Sequence, residues 1–174
     1  MVKKFKAHNS QLTSFAFHPT KPYLLSASYD RTIKLLDWGS GWNKEPKLRF
    51  EEHKDSVTKV VFNPEDAKDY ASASRDGTLK IWNVDSTVAY FTSPKGKSQM
   101  RCLDYFRRGD GQYLITGLED GTAQIWNLKN KELVETLKGH TAKINAVCPH
   151  PDLPILLTGS ADGTVRLWNS NSFR

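Results

Sequence analysis

Four stretches of this chain are versions of one another, and that recurrence limits the fold more than any other feature. "YDRTIKLLD" from Tyr29, "RDGTLKIWN" from Arg75, "EDGTAQIWN" from Glu119 and "ADGTVRLWN" from Ala161 each join a turn to a strand. Their aspartates, Asp30, Asp76, Asp120 and Asp162, lie 46, 44 and 42 residues apart. A period of this size marks supersecondary units too small to bury an apolar face alone. Inside each unit the pattern has period two: "TLKIWN", "TAQIWN" and "TVRLWN" alternate as half-buried strands do. "ASASRDGT" and "LTGSADGT" set an Asp-Gly turn between two such runs, a hairpin signal. The second unit reads as four strands, "SVTKVVF", "YASAS", "TLKIWNV" and "TVAYFTS". Pro19, Pro64 and Pro151 follow the first strand of their units, where a chain leaves pairing. The expected class is all-β, with four units of four antiparallel strands in a single domain over residues 1–174.

A second set of residues keeps step with the aspartates. His8, His53 and His140 precede theirs by 22, 23 and 22 residues, and Trp82, Trp126 and Trp168 follow theirs by six. Between His and Asp lies a hydroxyl: Ser26 or Ser28, Ser72 or Ser74, Thr158 or Ser160. Ser, His and Asp together could suggest a hydrolase, but the chain carries no nucleophile-elbow signature, and catalysis needs one such site rather than several in register. The expected role is a structural relay from Trp indole to hydroxyl, imidazole and carboxylate, in which each buried polar group meets another. Two relays have all their members: His53, Asp76 and Trp82, and His140, Asp162 and Trp168. The first unit has Leu36 in place of Trp, with Trp38 out of register and Trp42 in the loop beyond, and the third has Gly96 in place of His.

Composition narrows the class of function. With 38% hydrophobic and 25% charged residues, the chain reads as globular rather than disordered. It has no apolar run of the roughly 18 residues a membrane helix needs, and no secretory pattern follows "MVKKFKAHNS". The net charge is +6, but the basic residues are scattered and accompany no nucleic-acid-binding motif, so nucleic acid is not the expected partner. Cys102 and Cys148 lack metal-ligand spacing and read as buried thiols in a reducing, intracellular compartment. No metal or cofactor is expected. His150 beside Cys148 in "CPHP" is the alternative catalytic pairing, and no third group orients it.

In these residues the chain resembles the WD-repeat β-propeller family. More narrowly, "FKAHNSQLTSFAFHPTKPYLLSASYDRTIKLLDW", "NPEDAKDYASASRDGTLKIWN" and "HPDLPILLTGSADGTVRLWNS" resemble blades three to six of the amino-terminal propeller of the coatomer beta-prime family. The resemblance implies blades of four strands around a channel, and a non-enzymatic protein-interaction scaffold. It also implies vesicle-mediated transport, with a cytoplasmic place on Golgi or transport-vesicle coats. Members of that family read dilysine signals with acidic side chains on an upper face. Ser10 and Tyr29 stand where acids are expected, so dilysine binding is expected to be weak or lost. Partner-binding candidates on that face are Ser10, Gln11, Tyr29, Asp55, Arg75, Lys97, Gln99, Glu119 and Lys143. The fourth repeat ends without an outer strand, and residues 2–6 offer one. A ring of eight blades closed by two copies is therefore expected, each first strand completing its partner's last blade. A truncated or fragmentary coatomer-like chain, or a basic-surface nucleic-acid binder, is the alternative.

Overall fold

A computed structural model describes residues 4–39, 41 and 45–174. Every regular element among them is a β-strand, and the strands fall into four antiparallel sheets. The first holds β1 (Leu12–Phe17), β2 (Tyr23–Ser28), β3 (Ile33–Asp37) and β4 (Leu48–Phe50). The second holds β5 (Val57–Phe62), β6 (Asp69–Ser74), β7 (Leu79–Asn83) and β8 (Phe91–Thr92). The third holds β9 (Met100–Arg108), β10 (Gly111–Leu118), β11 (Ala123–Asn127) and β12 (Glu132–Leu137). The fourth has three strands, β13 (Ile144–Pro149), β14 (Ile155–Ser160) and β15 (Val165–Asn169). Each sheet is a meander, strand following strand in chain order. Residues 4–6 form no strand, and residues 2 and 3, like Trp42, lie outside the described residues.

Two compact units divide the chain, residues 1–94 and 95–174. In the first unit, sheet one packs on sheet two. Leu25, Ala27, Ile33, Leu35 and Phe50 form one core with Val57, Val60, Phe62, Tyr70 and Trp82, all at most 6% exposed. The Phe50 ring meets the Trp82 indole edge-on at 5.5 Å, and Tyr70 stacks on Trp82 at 6.0 Å. Edge-on and offset contacts of this kind suit the quadrupole of aromatic rings. Polar atoms tie the same two sheets, with the Thr13 hydroxyl donating to the Val57 carbonyl at 2.6 Å. In the second unit, Ile115, Ala123, Ile125 and Leu137 of sheet three pack on Ile144 and Leu156 of sheet four. Gly117 lets them approach, since a Cβ there would lie 2.5 Å from the Ile144 side chain.

The strands answer to the period-two pattern, with one shortening. "TVAYFTS" keeps only Phe91–Thr92 as β8. Upstream of it the backbone is taken by side chains: Glu52 accepts from the Ala89 N–H at 3.2 Å, and Ser86 accepts from that of Val88 at 3.3 Å. A backbone group bonded in this way leaves the ladder.

The Asp hairpin between the second and third strands has one geometry in all four sheets. Gly77, Gly121 and Gly163 take φ of 81°, 84° and 84°, and Arg31 is held at 72° in the degraded copy. Each of these amides donates to the carbonyl of Ser74, Leu118, Ser160 or Ser28. Glycine occupies the left-handed region without strain, and arginine does not.

Candidate functional site

The hairpin holds its aspartate beneath the preceding loop, and the histidine of that loop comes down to meet it. In the second sheet, His53 Nδ1 lies 2.9 Å from Asp76 Oδ2, and Nε2 lies 2.7 Å from Ser72 Oγ. The Trp82 indole N–H donates to Ser72 Oγ at 2.9 Å. One order of donors satisfies the whole chain: indole to hydroxyl, hydroxyl to Nε2, and Nδ1–H to carboxylate. The fourth sheet repeats it. His140 Nδ1 is 2.8 Å from Asp162 Oδ2, Nε2 is 2.9 Å from Thr158 Oγ1, and the Trp168 indole donates to Thr158 at 2.9 Å. In the first sheet His8 reaches Asp30 at 3.0 Å and Ser26 at 2.8 Å, and Leu36 leaves the relay without its indole.

The choice between the paired hydroxyls is now visible. Ser26, Ser72 and Thr158 serve the imidazole, while Ser28, Ser74 and Ser160 serve the turn. Ser74 accepts from the Asp76 amide at 3.1 Å and donates to the Asp55 carbonyl at 3.0 Å, clamping hairpin to loop. A further partner escaped the sequence reading, although all four copies carry it. The threonine two residues after each Asp (Thr32, Thr78, Thr122, Thr164) donates to the carboxylate at 2.6 to 2.7 Å.

These bonds set the charges. Burial pushes the Asp30 carboxyl up, but the Thr32 hydroxyl, the Asn9 and Thr32 amides and the His8 ring outweigh it and hold it at about 2. Burial likewise opposes ionisation of Asp76, and bonds from His53 and Thr78 overcome it, leaving the carboxyl far below its ordinary range. Asp162 is lowered first by the Thr164 hydroxyl, then by the Thr141 and Thr164 amides and His140, against burial. Burial lowers the basicity of His8 despite the Asp30 charge beside it.

The third sheet has only half of this device. Thr116 and Trp126 hold the register positions of Thr158 and Trp168, and both residues are buried. Neither the Thr116 hydroxyl nor the Trp126 indole N–H has a hydrogen-bond partner among the described residues. The Glu119 amide donates to the Gln99 carbonyl as that of Ala161 donates to Lys143. Counting back from Gln99 by the spacing of His140 to Lys143 lands on Gly96.

Ser, His and Asp at these distances have the geometry of a hydrolytic triad, but the nucleophile would be unreachable. Ser72 and Thr158 are 0% exposed, and each oxygen already accepts an indole proton. His150 is taken up differently: its Nδ1 accepts from the Asp152 and Leu153 amides at 3.1 and 3.0 Å, capping the loop after β13. His18 and Asn63 cap the matching loops of the first two sheets. Cys148, expected to be buried, is exposed, whereas Cys102 is buried. Cys148 lies on the uncovered face of sheet four, beside Leu157, while Cys102 faces Ile144. Among the described residues no group of three metal-ligating side chains comes together.

The partner-binding candidates lie at the hairpin end of their sheets. Tyr29, Arg75 and Glu119 take equivalent places, their amides donating to the carbonyls of Gln11, Ser56 and Gln99. Lys143 receives the amide of Ala161 in the same way. Within the first unit the Arg75 guanidinium lies 5.3 Å above the Tyr29 ring. Asp55 turns back to accept from the Ser56 amide, and Glu119 pairs with Arg101 at 2.9 Å. Ser10 and Lys97 are exposed loop residues.

The family model for the WD domain, G-beta repeat, matches residues 1–37, 44–83, 91–127 and 131–169. Each match takes in the first three strands of one sheet and, from the second match on, the outer strand of the sheet before. The chain belongs to the WD-repeat family. Coatomer subunit beta'-2 of Arabidopsis thaliana is 49% identical over 118 residues, covering 68% of this WD-repeat chain and 12% of the relative. Coatomer subunit beta' of Drosophila melanogaster is 46% identical over 107 residues, 62% of this chain and 12% of the relative. The probable coatomer subunit beta' of Schizosaccharomyces pombe is 36% identical over 107 residues, 62% of this chain and 13% of the relative. The matched WD-repeat segment thus spans only about an eighth of the length of these relatives.

Proposed function

We propose that this WD-repeat chain is a non-enzymatic protein-interaction scaffold that works in vesicle-mediated transport, in the cytoplasm and on Golgi or transport-vesicle coats. The observation that carries the scaffold reading is the contrast between a repeated frame and unrepeated loop side chains. Hairpins of one geometry present Tyr29, Arg75, Glu119 and Ala161 at one register position. A frame that repeats while its tips differ suits recognition rather than chemistry. The His53–Asp76–Trp82 and His140–Asp162–Trp168 relays then serve as scaffold, and Ser10, Gln11, Asp55, Lys97, Gln99 and Lys143 complete the binding end. The similarity to coatomer beta' subunits supports the trafficking context. The test is association with purified coatomer subunits by interferometry. Alanine at Tyr29, Arg75 and Glu119 together should abolish it with the melting temperature unchanged. Undiminished association would move the contact to the opposite end or the rim.

Two uncovered sheet faces support a proposal for assembly. Leu25, Ile33 and Leu35 of sheet one are at most 1% exposed, whereas Val165 and Leu167, in the register of Ile33 and Leu35, are 65% and 66% exposed. Phe15 and Phe17 on β1 are 56% and 66% exposed. Apolar faces of this kind ask for another blade. Two copies would supply one another in an eight-bladed ring, with residues 2–6 adding an outer strand beside the partner's β15. The second reading, a piece of a longer coatomer-like propeller whose own further blades cover these faces, is favoured by the greater length of the relatives.

A further inference from the structure

We propose that the Arg75–Tyr29 corner of the first unit is a receptor for acidic peptides, binding a carboxylate side chain. This rests on the reading that the hairpin end is the binding end. The acids at that end are already engaged. Asp30, Asp76 and Asp162 are held by histidines, Asp55 accepts from the Ser56 amide at 2.6 Å, and Glu119 is paired with Arg101 at 2.9 Å. The bases are not. Arg75, Lys97 and Lys143 have no ionic partner among the described residues. Arg75 therefore leaves a positive charge without a counter-ion at this corner of the first unit, the reverse of what a lysine-reading site needs.

Arg75 is also held in place. Its guanidinium lies over the Tyr29 ring at 5.3 Å, and that ring is 38% exposed. Both backbones are tied to one buried residue: the Ser56 carbonyl accepts from the Arg75 amide at 2.9 Å, and the Ser56 hydroxyl donates to the Tyr29 carbonyl at 3.4 Å. Tyr29 is further pinned by its amide to Gln11 at 3.0 Å. A guanidinium set against a ring still has N–H groups for a bidentate carboxylate, and a corner ordered beforehand loses less entropy on binding. The exposed neighbours Ser10 and Gln11 are uncharged hydrogen-bonding groups. One cation among such neighbours suits a carboxylate side chain flanked by peptide amides. A nucleic-acid backbone would call for a run of cations.

The test is fluorescence anisotropy of the whole chain with a labelled Asp/Glu-rich octapeptide, its Asn/Gln analogue, a dilysine peptide and a single-stranded oligothymidylate. The acidic peptide should bind, and its amide analogue and the dilysine peptide should not. Arg75→Gln should weaken binding about tenfold or more, and Arg75→Lys should recover little of it, since an ammonium lacks the fork. Tyr29→Leu should weaken it severalfold, while Lys129→Gln, at the other end of its own sheet, should leave it unchanged. Equal loss on Lys129→Gln, or equal affinity for oligothymidylate, would reduce the effect to general polyanion attraction and overturn the inference. No acidic-peptide binding, with coatomer association still lost on hairpin-end substitution, would sink this inference alone and leave the scaffold reading intact. Thermal melts of each variant separate lost binding from lost fold.

Discussion

Removing the His53 ring takes away the donor to Asp76 and the acceptor for Ser72 together, in a place where neither can turn to water. Ser72 is 0% exposed and the Asp76 side chain 7%. His53→Ala should therefore cost roughly 2–4 kcal/mol in urea denaturation, the sum of unmet polar groups and a small cavity. A variant of unchanged stability that loses partner binding would make His53 a ligand residue instead. The third repeat offers the converse experiment. Gly96→His should give the Thr116 hydroxyl an acceptor and raise stability by about 1 kcal/mol, and Thr116→Val in that background should erase the gain. The carboxyls and His8 also set a pH dependence. Asp30 falls from 3.8 to about 2, with Asp76 and Asp162 lowered in the same direction, so the folded chain binds fewer protons than the unfolded one as acid is added. Their stabilisation is complete above pH 3.8 and is lost as pH falls toward the folded values. His8, lowered from 6.5, acts in the same sense at higher pH, its contribution present above 6.5 and declining below. Melting temperature should thus fall in two stages on acidification, and His8→Gln should diminish the upper one, to which His18, lowered by burial and by Lys21, also contributes.

The hairpin is the element on which the repeats depend, and only one copy carries strain. Arg31 holds φ at 72° where the other three hairpins have glycine. Its side chain is exposed and has no hydrogen-bond or ionic partner among the described residues that would repay the conformation. Arg31→Gly should therefore stabilise the chain, by about 0.5–1 kcal/mol once the greater freedom of glycine in the unfolded state is offset. Gly121→Ala should do the opposite, because its Cβ would meet the His140 and Ala142 carbonyl oxygens at 2.8 and 2.9 Å as well as taking φ of +84°. Chemical denaturation of the two variants measures both signs.

For the whole molecule the decisive quantity is mass in solution. In the proposed eight-bladed pairing, light scattering should report near twice 19.7 kDa. Leu167→Asp puts a charge on a face that pairing would bury, and removal of residues 1–6 takes away the proposed outer strand. Either change should convert the dimer to smaller, aggregation-prone material, since an open sheet edge and an apolar face both invite non-specific association. An intact chain that stays at 19.7 kDa across concentration would dismiss the pairing and leave the faces to further blades of a longer polypeptide.

Local chemistry made much of this protein legible in advance. Period-two alternation and the Asp-Gly turn act over a few residues, so strands such as Leu79–Asn83 and the hairpins at Asp76 and Asp162 could be read directly. The fixed His-to-Asp interval likewise located the relays, and Leu36 and Gly96 the gaps in them. What sequence left open depends on register and on distant neighbours. Ser72 and Ser74 point to one side of the same strand, and only the depth of each below the hairpin assigns imidazole to the first and turn to the second. Cys148 and Cys102 look alike in composition, yet one faces an uncovered sheet and the other faces Ile144. β8 shrank because Glu52, 37 residues before Ala89, captured its backbone. The surroundings of the charges at the hairpin ends depend on the fold in the same way. Asp55, Glu119 and Arg75 are equally charged on paper, but Glu119 meets an arginine and Arg75 meets a tyrosine. Repetition is a short-range property that a sequence carries in itself, whereas the availability of a charge depends on what the fold brings beside it.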